Sequence, residues 1–164
     1  AVIEPPAGHG PRHYAYHPNS KFVYFDNEQA SSVTAYKFDA ATGTLEAFQT
    51  LSTLPDNFTG ENSNAQIHMS PDGKYLYAAN RGHNSIAMYS INDSTGKLTS
   101  LGNQPSLGTP RAFGIDPTGK FMLVGGLDSG DLATYKINPT GILTHLKTQP
   151  IGNLPMWIHI TAPV

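Results

Sequence analysis

Three charged residues, Arg12, Glu28 and Arg81, offer the chemistry that this sequence could perform. The planar donors of arginine pair bidentately with carboxylate or phosphate, so two arginines at one site suit the binding of an anionic small molecule. Glu28 is a candidate general base. A carboxylate held between two arginines is a weaker proton acceptor, which favours an electrostatic or positioning role. The alternative interpretation is that Glu28 and Arg81 form a salt bridge that only stabilises the fold.

Five further residues are candidates for the same site. Four of them are assigned to ligand binding: His13, Asn27, Gln66 and Arg111. The fifth, His68, is either a catalytic imidazole that lines a channel or a hydrogen-bonded core residue, and the sequence leaves both open. For Arg111 a structural role is favoured over a catalytic one.

Composition excludes several other kinds of site. The chain has no cysteine, so it has no disulfide, thiol nucleophile or thiolate metal ligand, and the redox compartment stays undecided. Ten Lys and Arg against twelve Asp and Glu give a net charge of -2, so we expect neither a nucleic-acid partner nor attraction to an anionic membrane.

Known sequence motifs for metal and nucleotide sites are also missing. His9, His13 and His17 alternate suggestively, but no nearby carboxylate completes a ligand set, so we expect no metal. There is no Walker-type phosphate loop and no Gly-x-Ser-x-Gly elbow, and we expect no cofactor.

A turn with a central proline occurs three times and divides the sequence into repeats. The copies are His17-Pro18-Asn19-Ser20-Lys21, Ser70-Pro71-Asp72-Gly73-Lys74 and Asp116-Pro117-Thr118-Gly119-Lys120. The period of roughly 50 residues in a chain rich in short β-prone runs is typical of propeller blades. The longer first period has a local cause, an insertion at residues 55–61 that we expect to be a surface loop near the site.

Each repeat contains four β-prone runs. The first strands are expected at 12–16, 65–69 and 111–115, the second at 22–25, 75–78 and 121–124, and the third at 33–38, 86–91 and 132–137. Hairpins with Gly43, Gly96 and Gly141 follow, because a tight turn needs a positive φ. The fourth strands are marked by the pairs Leu45 and Phe48, Leu98 and Leu101, and Leu143 and Leu146.

The predicted fold is all-β, with three four-stranded propeller blades and one closing strand. The blades span approximately 10–52, 61–107 and 108–152 within one partial domain, 1–164, and the closing strand spans 155–161. Blades stack on their neighbours around an axis, and three and a fraction do not close a ring. We therefore expect the partners to be the remaining blades or another copy of the chain.

Antiparallel pairing brings the start of each first strand to the end of each second strand. This places Arg12, His13, Gln66 and Arg111 at the same end of the blades as Asn27-Glu28 and Asn80-Arg81. Glu28, Arg81 and Leu127 occupy equivalent repeat positions but differ in chemistry, as expected if each blade gives a different group to a shared site. The first-strand face with Tyr14 and Tyr16 is instead expected to pack between blades.

Several stretches resemble the lactonase-type β-propellers, the family typified by 6-phosphogluconolactonase. The resemblance is carried by Gly10-Pro11-Arg12-His13, Asn27-Glu28, Ile67-His68-Met69-Ser70-Pro71-Asp72-Gly73-Lys74 and Asn80-Arg81-Gly82-His83, with Pro110-Arg111 to Gly119 in the third repeat. It maps the chain to the C-terminal half of a seven-bladed ring, which implies that the N-terminal blades are absent here. Two departures are Gly125-Gly126-Leu127 and Pro155-Met156-Trp157.

The resemblance implies hydrolysis of a sugar lactone such as 6-phosphogluconolactone, or of a related anionic lactone, without a metal. Carried over by position, Arg12, Glu28 and Arg81 match the polar site residues, with His13 and His68 as companions. Glu28 or a histidine would then act as general base, while the arginines hold the anion and stabilise the oxyanion. Two alternatives remain open, a carboxymuconate-type lactonising enzyme and a non-catalytic propeller that binds a ligand.

Overall fold

The computed structural model describes residues 3–162, which form twelve strands. The strands are β1 (Pro11–Tyr16), β2 (Phe22–Asn27), β3 (Ser32–Asp39), β4 (Thr44–Ser52), β5 (Ser63–Met69), β6 (Tyr75–Arg81), β7 (Ser85–Ile91), β8 (Leu98–Pro105), β9 (Pro110–Ile115), β10 (Phe121–Gly126), β11 (Asp131–Ile137) and β12 (Leu143–Pro150). Within this range no helix is present, so none is long and apolar enough to cross a bilayer.

The strands form three separate four-stranded sheets, each built from consecutive strands. The orders are β1-β2-β3-β4, β5-β6-β7-β8 and β9-β10-β11-β12, and every neighbouring pair is antiparallel. Each sheet is a propeller blade, and the predicted all-β class with three four-stranded blades is confirmed.

Two apolar cores lie between the blades. In the first, Tyr24 and Val33 of blade one pack with Ile67 and Leu76 of blade two. In the second, residues of blade two such as Tyr77 pack with residues of blade three such as Phe113 and Val124. Both faces of the middle blade are therefore buried against a neighbouring blade. The apolar core lies in two layers between the sheets and not at one centre.

Tyrosine hydroxyl groups link neighbouring blades at repeated positions. Tyr24 on β2 donates to the carbonyl of Gly96 in the hairpin of blade two, at 2.9 Å, and Tyr77 on β6 donates to the carbonyl of Gly141 at the same distance. Burial raises the pKa of both tyrosines, so both hydroxyls keep the proton that these bonds need.

The aromatic face of the first blade is exposed among residues 3–162. Tyr14 and Tyr16 on β1 are 59% and 50% exposed, whereas Ile67 and Phe113, the equivalents of Tyr14 in the next two blades, are buried. The reason is that β1 has no preceding blade within residues 3–162. The expected inter-blade packing is therefore observed for Ile67 and Phe113 and stays a prediction for Tyr14 and Tyr16.

The expected closing strand at 155–161 is not a strand in the structure. Residues 154–162 have no ladder partner, and strand structure requires one. The segment lies across the face of the third blade, where Ile158 reaches both Gly114 and Gly125. It thus packs on blade three in the way that β9 packs on blade two. The segment takes the position of the first strand of a next blade, but no second strand pairs with it.

Alanine at Gly96 should destabilise the protein more than alanine at Gly43. Both glycines sit in equivalent hairpins at similar positive φ, 70° and 68°. A Cβ at Gly96 would overlap the ring of Phe22 in the neighbouring blade, while a Cβ at Gly43 meets nothing. We expect each change to cost about 1 kcal/mol for the backbone, and Gly96→Ala roughly 1–3 kcal/mol more for the overlap, measured by urea unfolding. Equal losses would show that the hairpin does not lock the blades together.

Candidate functional site

The first strands of the three blades lie side by side. β1 contacts β5, and β5 contacts β9, so these strands form the inner edge of the stack. β2 ends at Asn27 and β6 at Arg81, next to the starts of β1 and β5. Polar residues from different blades therefore meet at one end of the inner strands.

A β-bulge places Arg12 and His13 at this end. Pro11 pairs with Asn27 and Tyr14 pairs with Phe25, so two residues of β1 oppose the single residue Asp26 of β2. A bulge re-aims side chains and bends the strand locally. Because of it, Arg12 and His13 both line the same concavity.

Arg12, Glu28 and Arg81 form one charged cluster across two blades. Arg81 of blade two donates from a terminal guanidinium nitrogen to Oε1 of Glu28 in blade one. Arg12 Nε lies 3.6 Å from the other carboxylate oxygen, Oε2. Glu28 is thus held by both arginines and is still 37% exposed at its side chain, so the cluster lies at the surface of the site.

Further contacts to the backbone join the two blades around the cluster. Arg12 of blade one donates to the carbonyl of Ala65 in blade two, while Arg81 donates to the carbonyl of Asn64 in its own blade at 2.7 Å. The amide of Asn64 donates to the carbonyl of Glu28 at 3.0 Å. The structural interpretation and the functional one therefore describe the same contacts, since the bridge both joins the blades and sets the direction of the guanidinium groups.

Burial and like charges affect two groups of the cluster. Desolvation, followed by repulsion from Arg81 and Arg111, lowers the pKa of Arg12, although Glu28 opposes this. Burial and then the charge of Arg12 lower the pKa of His13. His13 therefore carries a neutral imidazole at neutral pH, and Arg12 keeps its charge because its usual value is far higher.

An open concavity of about 570 Å³ lies beside the cluster. Its lining includes Arg12, His13, Gln66, His68 and Trp157. Trp157 is 64% exposed and was not predicted as a site residue. Its position in the repeat is that of His13 and Gln66, which is the signal that could have identified it.

His68 lines this concavity but is poorly placed as a base. Its Nε2 is buried and has no hydrogen-bond partner among residues 3–162, and its ring packs edge-on against Phe113 at 4.8 Å. Burial, with a smaller contribution from His13, lowers the pKa of His68 to about 4. The imidazole is therefore neutral and a weak proton acceptor, and its unpaired Nε2 also differs from the expected hydrogen-bonded core residue.

The other three candidates differ in their access to the concavity. Gln66 is buried, and its Oε1 accepts the amide of Phe113 at 2.7 Å, which links blades two and three. Asn27 is also buried, and its amide donates to Ser32 and Thr34 on β3. Arg111 is half-buried, near enough to Arg12 and His13 to lower the pKa of both. No salt bridge within residues 3–162 engages Arg111, but of the three only Gln66 lines the concavity.

The structure also reveals a buried carboxyl group that sequence reasoning missed. Asp26 is fully buried on β2, and its Oδ1 accepts the backbone amide of His13 at 2.6 Å. Burial raises the pKa of Asp26 to about 7, against the opposing effects of this hydrogen bond and of Arg12. The available signal in the sequence was an acid, Asp26, directly after the apolar run Phe22–Phe25. The other two repeats have Ala79 and Gly125 at the position of Asp26.

Potential metal ligands are dispersed among residues 3–162. Within residues 3–162 no three His, Asp or Glu side chains lie close enough together to hold a metal ion. The donors around the concavity are instead guanidinium and imidazole groups, which suit an anionic organic ligand.

Comparison with known proteins gives a consistent picture. A family model described as "Lactonase, 7-bladed beta-propeller" matches residues 1–160. A 6-phosphogluconolactonase of Pectobacterium carotovorum subsp. carotovorum (strain PC1) is 40% identical over 157 residues, which are 95% of this chain and 47% of that protein. The chain thus spans about half the length of the curated relatives it matches.

Solved structures agree with the fold. A protein from Lactobacillus plantarum superposes with a TM-score of 0.91 at 30% identity, over 96% of this chain and 46% of that one. The periplasmic gluconolactonase of Pseudomonas aeruginosa superposes with a TM-score of 0.87 at 27% identity, over 93% and 43% respectively.

Replacing Asp26 with asparagine should stabilise the protein at high pH and not at low pH. The pKa of Asp26 is about 7 in the folded protein and 3.8 in the unfolded chain. Between these values the folded state holds a proton that the unfolded state has lost, so stability falls as pH rises, by about 1.4 kcal/mol per unit. Asp26→Asn removes this loss. We expect its melting temperature to match that of the wild type near pH 4 and to exceed it at pH 8, by calorimetry. A difference independent of pH would contradict the assignment.

Proposed function

We propose that this chain, which belongs to the lactonase family of seven-bladed β-propellers, supplies the anion-binding side of a site that hydrolyses a sugar lactone such as 6-phosphogluconolactone. One observation carries the proposal. Two arginines from different blades converge on Glu28 at the edge of an open concavity that also contains a neutral histidine. The names of the similar proteins support the same substrate class.

In the proposed reaction, water attacks the lactone carbonyl. A bond forms from the water oxygen to the carbonyl carbon, the carbonyl oxygen becomes an oxyanion, and the ring C–O bond then breaks. One proton leaves the water and one is delivered to the ring oxygen, so that the product is a hydroxy acid. Arg12 stabilises the oxyanion or holds the anionic group of the sugar, because its guanidinium borders the concavity.

Glu28 and His13 are the two candidate proton acceptors. Glu28 is engaged by Arg81 through one carboxylate oxygen, and its other oxygen lies 3.6 Å from Arg12. We therefore assign Glu28 to orienting the arginines. His13 fits the role of base better, since it lines the concavity and its lowered pKa keeps the imidazole unprotonated at neutral pH.

The working ring needs more blades than the three described here. We propose that the open faces at the two ends of the stack are covered by further blades or by a second copy of the chain. The exposed ring of Tyr14 supports this, because its equivalents in the next two blades, Ile67 and Phe113, are buried. Those additional blades would add groups to the site.

A non-catalytic binding propeller is the alternative from another class. It would use the same arginines to hold an anion but would release it unchanged. The relevant observation is the bridging of Glu28 by Arg81, which joins the blades whether or not catalysis occurs.

Lactone hydrolysis should depend on the charged cluster. With 6-phosphogluconolactone we expect Arg81→Ala to lower kcat/KM by about 100-fold or more, because Arg81 holds Glu28, and Glu28 in turn orients Arg12 at the concavity. Glu28→Gln keeps the size of the side chain and should cost about 10- to 100-fold, since hydrogen bonds to charged groups are worth roughly 1.5–3 kcal/mol. Initial rates by pH-stat measure both.

Two exposed residues provide matched controls for these variants. Glu46→Gln removes the carboxylate of an exposed pair with Lys37 on the outer strand, and Lys120→Ala removes a cation in a remote turn. Both should leave the rate unchanged. Wild-type activity in Arg81→Ala and Glu28→Gln would refute the site, and binding without turnover would favour the alternative.

Binding should be visible in the emission of the only tryptophan in the sequence, Trp157. Because Trp157 is exposed and lines the concavity, a sugar acid that enters will shield it from water and shift its emission to shorter wavelength. We expect Arg12→Ala to weaken gluconate binding by about 10- to 100-fold, the equivalent of roughly 1.4–2.7 kcal/mol. Lys120→Ala should not change it. An emission spectrum that gluconate leaves unchanged at saturating concentration would place the ligand elsewhere.

A further inference from the structure

The bulge in β1 leaves a backbone amide outside the regular ladder, and Asp26 accepts it. Arg12 and His13 together oppose Asp26, and the amide of His13 donates to Asp26 Oδ1 at 2.6 Å. A bulge of this kind leaves its extra residue unpaired with the neighbouring strand. The carboxyl group therefore holds the stretch of backbone that carries Arg12 and His13.

The same irregularity occurs in the other two blades without a carboxyl group. β5 is irregular between Asn64 and Ile67 opposite Ala79, and β9 is irregular where Gly125 and Gly126 of β10 pair with it. Ala79 and Gly125 are both buried. The bulge itself therefore does not require an acid at this position of the repeat.

Keeping an acid there is energetically unfavourable. Asp26 is fully buried, and its second oxygen, Oδ2, is buried without a hydrogen-bond partner among residues 3–162. A buried polar atom without a partner costs about 1–3 kcal/mol, and a buried charge costs more. Such a group in one blade of three, directly beneath the charged cluster, indicates a role in the site.

We propose that Asp26 is a positioning residue, which fixes the bulged backbone of Arg12 and His13 and sets the charge beside Arg12 through its own protonation. The inference rests on the proposed function in one respect, that an anionic ligand meets Arg12. The hydrogen bond to the His13 amide and its titration can be tested without any ligand.

The surroundings of Asp26 determine the direction of the effect. Arg12 on β1 and Glu28 just beyond β2 act on its charge, His13 contributes its backbone amide, and Val33 is its partner on β3. With a pKa of about 7, Asp26 is neutral in mildly acidic solution and ionised in mildly alkaline solution. An ionised Asp26 adds a second negative charge near Arg12, so anion affinity should fall as pH rises through this range.

Amide NMR tests the proposal directly. Across about pH 5.5 to 8.5 the His13 amide should shift with a midpoint near 7, because its acceptor changes charge. Asp26→Asn should abolish this inflection while keeping the amide protected from hydrogen exchange, since the asparagine Oδ1 still accepts. Asp26→Ala should remove the protection. An inflection that survives Asp26→Asn would come from the His13 ring and would overturn the proposal, as would full protection in Asp26→Ala.

Asp116→Asn is the matched control. Asp116 accepts the amide of Phe121 at 2.6 Å in a turn remote from the cluster, and it is not part of the site. This change should leave the His13 amide titration as it is in the wild type. Loss of the His13 inflection in this variant as well would show that the signal does not originate from Asp26.

Gluconate affinity, followed by Trp157 emission, tests the consequence for binding. Gluconate keeps one charge across the range, so a change between about pH 6.5 and 8.5 reports on the protein. We expect the wild type to bind about three- to tenfold more weakly at the higher pH, and Asp26→Asn to bind equally at both. A pH dependence that persists in Asp26→Asn would overturn the charge role. If gluconate binds to none of the proteins, the proposed function fails, and the amide titration still decides the role of Asp26.

Discussion

Packing of one blade face against the next is the constraint on which the rest of this structure depends. A four-stranded sheet with two apolar faces cannot bury both of them alone, so each blade needs a neighbour. The side chains that meet between blades are large and fully buried, among them Tyr24, Tyr77 and Phe113. The hydroxyl groups of Tyr24 and Tyr77 donate to carbonyls in the hairpins of the neighbouring blades and so help to set the spacing of the blades.

The charged cluster is a product of that packing. Glu28 and Arg81 are the same position in successive repeats, and they meet because blade two is placed beside blade one with their strand ends level. The bridge is partly buried, since the side chains of Arg81 and Glu28 are 15% and 37% exposed. It holds Glu28 beside Arg12, and Arg12 is the arginine that lines the concavity.

Burial decides which of the ionisable groups near the concavity can exchange protons at neutral pH. It lowers the pKa of His68 to about 4 and raises the pKa of Asp26 to about 7, so near neutral pH His68 is unprotonated while Asp26 exchanges its proton. Burial and the charge of Arg12 also lower the pKa of His13, which is only partly buried. Differences in solvation thus give the few ionisable groups near the concavity different protonation states at the same pH.

The sequence by itself determined the blades and the end of the blades at which the polar residues meet, because strand periodicity, turn glycines and the three-fold proline turn are local signals. It identified Arg12, Glu28 and Arg81 for the same reason, since equivalent repeat positions with different chemistry can be read without coordinates. Only the tertiary structure decided that Asp26 opposes a bulge, that Gln66 is committed to the amide of Phe113, that Tyr14 and Tyr16 are exposed and that residues 155–161 lack a partner strand. These facts depend on register, on burial and on which neighbour is present, and none of the three is encoded in the type of a single residue.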